Sequence, residues 1–155
     1  MERLDTTPPP PEPRLQAAAS ELIPRGISGK ELAALEDGWA TLLDDEPDNL
    51  RVAKRGAALF RVSAKLLGAA DCHLEEAGRL FAYAQAARRG LVLPLGRYEE
   101  VRLLSGYRYP RTLRPLTALA RLAARDVKQA PAIEPEATPG RAAALLSHRL
   151  FGTVV

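Results

Sequence analysis

Four kinds of side chain in this sequence have the type or spacing to be weighed for chemistry: one run of carboxylates, one stripe of arginines, two isolated histidines and a single cysteine. The carboxylates are Asp44, Asp45, Glu46 and Asp48, interrupted by Pro47. A Mg²⁺ site needs carboxylates held on a shared face, usually with substrate phosphates completing the shell. Consecutive positions in a proline-broken turn that must also cap the next helix do not supply that face. The run reads as a solvated turn, and no metal ligand is assigned. Arg111, Arg114, Arg121 and Arg125 fall within one outer stripe of a helix and could bind phosphate oxygens. A solvated helix face is the plainer reading. His73 and His148 lie far apart and match no HExxH or other paired spacing. A His/Ser/Asp arrangement forms only in the fold, but nothing here points to one, so no catalytic residue is assigned. Cys72 sits at a helix start, a place that can activate a thiol but more often just takes a small residue.

The elements that would position these groups are helical. In residues 49–90, Leu50, Ala53, Ala57, Phe60, Ala64 and Leu67 recur at steps of three and four, which places them on one stripe of an α-helix. A break at Gly68 follows, and Asp71 is placed to cap a second helix carrying Leu74, Ala77, Phe81 and Ala84 before Gly90 ends it. Alanine on the facing positions, with Gly56 and Gly78, lets two antiparallel backbones approach closely, and the two Phe rings fill what remains.

Composition agrees. Aromatic residues make up only 5% of the 155 positions, and alanine and leucine dominate, which suits packed helices rather than sheets. The fold class expected is all-α, an antiparallel helical bundle. A chain this long buries about two-thirds of its unfolded surface and needs no staples. With one cysteine there is no intramolecular disulfide, as expected of a reducing compartment, so the expected location is cytoplasmic. No apolar run approaches the roughly 20 residues of a membrane span, and the N-terminus lacks the basic-then-apolar order of a signal peptide. Peripheral membrane contact stays open.

Charge is unevenly placed. Residues 1–50 hold 4 Lys/Arg against 11 Asp/Glu, residues 51–130 hold 16 against 6, and the last 25 hold 2 against 2. A basic middle attracts anions in general. Nucleic acid is not expected, because aromatics are scarce there and no recognition motif is present.

In chain order, TTPPPPEP forms a stiff polyproline-like lead-in over residues 1–13, and residues 14–155 form a single helical domain. Leu15, Ala18, Ala19 and Leu22 suggest a short helix stopped by Pro24 and Gly26. Ser28 and Glu31 form a capping box for a helix with Leu32, Leu35, Trp39, Leu42 and Leu43 on its apolar stripe. A brief helix is expected over residues 98–104. Pro115 opens another, with Leu116, Leu119, Ala120 and Ala123 facing inward, and Thr138-Pro139 caps a last helix carrying Leu145, Leu146 and Leu150.

Taken in order, ERLDTTPPPPEP, LEDGWATLLDD, RGAALFRVSAKLLG, EAGRLFAYAQAAR, LRPLTALARLAARD and EPEATPGRAAALLSHRLFG resemble the later part of bacterial squalene/phytoene synthase-like proteins. These are head-to-head prenyl synthases of the all-helical isoprenoid synthase fold, and the resemblance covers nearly the whole chain. It implies a transferase of isoprenoid biosynthesis that condenses two isoprenoid diphosphates, with aspartate-rich helices holding Mg²⁺ in a deep apolar cavity. The sequence departs from that pattern. No helix carries DxxxD, the segment EEAGRLFAYAQAAR has Glu75 and Glu76 at its start and no Asp inside, and the earlier aspartate motif has no counterpart. No cofactor is evident; Mg²⁺ would be expected only if the family activity were retained.

The reading that follows is a divergent or truncated squalene/phytoene synthase-like protein without the metal-dependent condensation, binding an isoprenoid diphosphate or a lipid. Phe60, Phe81, Arg114, Arg121 and Arg125 are its substrate-binding candidates. The alternative is a non-catalytic helical interaction or assembly module that meets a protein partner or a second copy of itself.

Overall fold

A computed structural model describes residue 17, residues 20–32, residue 35, residues 48–91 and residues 97–155. The described chain is an all-α bundle. A 3₁₀ turn at Ile23–Arg25 precedes α1 (Asn49–Leu66), α2 (Leu74–Arg88), α3 (Arg97–Leu103), a second 3₁₀ turn at Arg111–Leu113, α4 (Arg114–Gln129) and α5 (Pro139–Phe151). Helix α2 is the hub. It packs on α1, α3 and α4, and α4 in turn carries α5.

The caps explain where these helices begin. Asp48 Oδ1 accepts the amides of Leu50 at 2.8 Å and Arg51 at 3.4 Å, so the last carboxylate of the acidic run starts α1. Ser28 and Glu31 form the expected box: the Ser28 amide donates to Glu31 at 2.9 Å and the Glu31 amide to the Ser28 hydroxyl at 3.3 Å. Lys65 adds an ion pair to Glu31 at 2.7 Å, and the hydrogen bond from Lys65, with those from Ser28, brings that carboxyl down to about 2. Pro115 lies in the first turn of α4. Thr138 caps α5, its hydroxyl accepting the Arg141 amide at 3.3 Å. Asp71 does less than expected: it accepts the His73 amide at 2.9 Å, one turn before α2, whose N-cap His73 makes no side-chain cap bond.

Helices α1 and α2 meet backbone to backbone. A β-carbon on Gly56 would collide with the Gly78 carbonyl oxygen and lie 2.7 Å from the Ala82 methyl, and one on Gly78 would lie 2.9 Å from the Ala57 α-carbon. No side chain other than hydrogen fits either position. Ala53, Ala57, Ala64, Ala77 and Ala84 are all buried around this crossing. Phe60 is fully buried and meets the half-buried Phe81 with ring centroids 5.7 Å apart. Leu50 and Leu67, expected on the same stripe, are 61% and 48% exposed. They lie at the two ends of α1.

The expected helix through Leu42 and Leu43, the proline-rich lead-in and the carboxylates Asp44, Asp45 and Glu46 lie outside the described residues. Among the described residues, no helix is long and apolar enough to cross a membrane.

Candidate functional site

Helix α5 places its leucines at the surface and its polar side chains inside. Leu145, Leu146 and Leu150, expected on this helix, are 37%, 59% and 61% exposed, and Phe151 joins them at 57%. The buried side chains of α5 are Arg141, Ala144 and His148. These lie at i, i+3 and i+7, which is one helical face, so α5 turns its polar stripe toward α4 and its leucines outward. Leu119 of α4, expected inside, is exposed.

Polar groups that complete one another's hydrogen bonds make that orientation stable. Asp126 on α4 is buried and takes a two-pronged contact from Arg88 of α2, Nε to Oδ2 at 2.7 Å and Nη2 to Oδ1 at 2.9 Å, plus the Arg141 guanidinium of α5. One carboxylate thus joins three helices. The hydrogen bond to Asp126 raises the pKa of Arg88 further. Beside it, Arg125 pairs with Glu134 at 2.7 Å and Thr138 donates to the same carboxylate, which these contacts hold below the usual carboxylate range.

His148 forms the second anchor. Its Nδ1 lies 2.7 Å from the Thr153 carbonyl oxygen, which can only accept, so the proton is on Nδ1. Nε2 is then an acceptor, 3.0 Å from the Thr117 hydroxyl, whose single proton serves either Nε2 or the Leu113 carbonyl 3.0 Å away. Burial pushes the imidazole pKa down, which favours this neutral form. Both ring nitrogens are occupied, so His148 is a fastening and not a free base.

Three of the four stripe arginines are fastenings as well, which corrects the reading of a solvated face. Arg114 donates through Nη1 to the carbonyls of Arg149 at 2.8 Å and Leu150 at 3.1 Å, capping the C-terminus of α5. Arg121 donates to the Val154 carbonyl at 3.0 Å, and Arg125 is the partner of Glu134. Arg111 alone is exposed.

Between α4 and α5 runs a groove of about 620 Å³, floored by Pro115, Ala118, Leu145 and Leu150, with His148 at its base and Arg111, Arg114 and Arg149 around it. Of the five substrate-binding candidates, only Arg114 lines it. Phe60 is core, Arg121 and Arg125 tie down the tail and the α4–α5 loop, and Phe81 lines a separate cleft of about 160 Å³ with Arg88, Asp126 and Arg141. The structure does not gather the five into one site. Leu145, Arg149 and Leu150 line it without having been site candidates, because nothing in the sequence of α5 alone shows which of its faces meets α4.

Among the described residues, the Mg²⁺ implied by the resemblance finds no fitting set of ligands. At the start of α2, Glu75 is engaged by Arg61 at 2.9 Å and Arg79 at 3.2 Å, while one oxygen of Glu76 is buried without a partner. Among the described residues, no three His, Cys, Asp or Glu side chains converge. Cys72 is exposed.

Compared with family models, with curated proteins and with solved structures, the chain matches none.

Proposed function

We propose that this chain is a divergent squalene/phytoene synthase-like bundle that carries out no metal-dependent condensation and holds an anionic isoprenoid, an isoprenyl phosphate, in the groove between α4 and α5. The observation that carries this reading is the orientation of helix α5, which exposes Leu145, Leu146, Leu150 and Phe151 and sets Leu145 and Leu150 in one groove with the guanidinium groups of Arg111, Arg114 and Arg149. Exposing apolar side chains while burying Arg141 and His148 makes sense for a surface that works by contact. A volume of about 620 Å³ is in the range of small-molecule sites. The apolar floor suits a branched hydrocarbon tail, and Arg111 and Arg149 suit the phosphate. The α1–α2 interior offers no such room, because Gly56 and Gly78 are already in contact and Phe60 fills the space beside them.

Titration calorimetry with farnesyl phosphate tests the reading. The expected result is saturable binding that weakens at least about tenfold in an Arg111→Glu/Arg149→Glu double variant, with no change in melting temperature. Incubation with farnesyl diphosphate and Mg²⁺ should yield no condensed product. Binding unaffected by the double variant, or clear turnover, would contradict the proposal. If the protein ignores farnesyl phosphate and instead forms a dimer that Leu146→Ser and Leu150→Ser abolish, the assembly-module reading replaces it.

A further inference from the structure

The groove does not account for all the exposed apolar side chains of α5. Leu145 and Leu150 line it, whereas Leu146 and Phe151, 59% and 57% exposed, do not. Leu146 and Leu150 stand one turn apart on the side of α5 away from its buried Ala144 and His148, and Phe151 ends the helix beside them. Arginines gather at the same end. Arg149 belongs to α5 itself, Arg111 and Arg114 line the groove with Leu150, and the bridge between Arg108 and Thr153 brings Arg108 beside the end of α5. Arg108, Arg111 and Arg149 are exposed. Among the described residues, none of these four arginines forms an ion pair. Arg114 donates to neutral carbonyls, which leave its charge in place. The neighbouring sequence supplies no counter-charge: residues 101–125 carry six arginines and residues 137–155 two, with no Asp or Glu in either stretch.

Leucine and phenylalanine side chains that protrude among uncompensated guanidinium groups suit the boundary of a negatively charged bilayer. The apolar groups enter the acyl region, and the arginines take lipid phosphates. We propose that the C-terminal half of α5, with Arg108 and Arg111 beside it, is a docking surface for an anionic lipid bilayer. Asp126 holds Arg141, and Thr117 meets His148, so the leucine side stays turned outward before any lipid is met. A second copy of the chain fits this face less well, because a self-complementary contact would set arginines against a patch that holds no carboxylate. Nucleic acid gives the leucines nothing to pack on. The inference goes beyond the groove reading and stands whether or not the groove holds an isoprenyl phosphate.

Flotation of the intact chain with vesicles tests it, comparing phosphatidylcholine alone with phosphatidylcholine containing about one-third phosphatidylglycerol. The expected result is at least about tenfold more protein on the anionic vesicles, with most of that excess lost in about 1 M salt. A Leu146→Ser/Phe151→Ser double variant should lower the binding at least about tenfold. Arg108→Glu, which leaves the groove lining untouched, should weaken it at least about fivefold. Both variants should keep the melting temperature of the parent. Absence of binding to the anionic vesicles, equal binding to the two vesicle types, or binding indifferent to the serine pair would overturn the proposal. So would a concentration-dependent dimer that the serine pair abolishes, since a second copy would then cover the face.

Discussion

The contact between α1 and α2 is made of glycine, alanine and two phenylalanine rings, whereas α4 and α5 meet through a carboxylate, two guanidinium groups, a neutral imidazole and backbone carbonyls. Both contacts bury their helices firmly, but they specify orientation differently. The first excludes water by shape, and any apolar residue of the right size would serve its rim. The second depends on each polar group finding its counterpart, and it leaves the leucines of α5 free for something else. In this bundle the polar contact sets which way α5 faces, and the outward leucines follow from it.

The sharpest way to break the polar contact is Asp126→Ala, which leaves Arg88 and Arg141 partly buried with no carboxylate; the expected loss is about 3–5 kcal/mol in a urea melt. A loss under about 1 kcal/mol would mean the network is decorative. Phe60→Ala probes the apolar contact at a similar magnitude, about 3–5 kcal/mol, because the ring is fully enclosed. If that ring lined an open cavity, its truncation would cost much less. Gly56→Val drives a branched side chain into the Gly78 backbone and should cost at least about 1–3 kcal/mol by the same measurement.

The two contacts should also separate by pH. Burial lowers the His148 pKa below 6.5, so the unfolded chain binds that proton more tightly than the folded one. Stability from this group is fully present above pH 6.5 and is lost as pH falls through the lowered value. Comparing melts at about pH 5 and about pH 8, the intact chain should lose stability at the lower pH, and His148→Gln should reduce that difference. The α1–α2 contact contains no titrating group of this kind, and Gly56→Val should leave the pH dependence unchanged. The smallest effect belongs to Leu146→Ser and Leu150→Ser, within about 0.5 kcal/mol of the parent, since these side chains contribute little to the fold.

How much of this was legible in the sequence follows the same division. Spacing alone placed Ala53, Ala57, Phe60 and Ala64 on the buried side of α1 and brought Gly56 against Gly78, because apolar burial obeys the helical period. The caps at Ser28, Asp48 and Thr138 were legible too, as local chemistry. The orientation of α5 was not. No regular spacing of its leucines marks a face, and the arrangement that orients it joins Asp126 to Arg88 and Arg141 across 38 and 15 positions. The stripe arginines misled for the same reason: Arg114 and Arg121 reach carbonyls 33 to 36 residues away, and no local pattern announces a backbone acceptor.

The central claim is that the working surface lies outside the bundle, on the leucine face of α5, and not in an interior prenyl cavity. Methyl NMR of leucine- and alanine-labelled protein titrated with farnesyl phosphate tests it most directly. The account predicts shifts at Ala118, Leu145 and Leu150 while Ala64, Ala77 and Leu80 stay still. Shifts confined to Ala64, Ala77 and Leu80, with the α5 leucines unmoved, would contradict it.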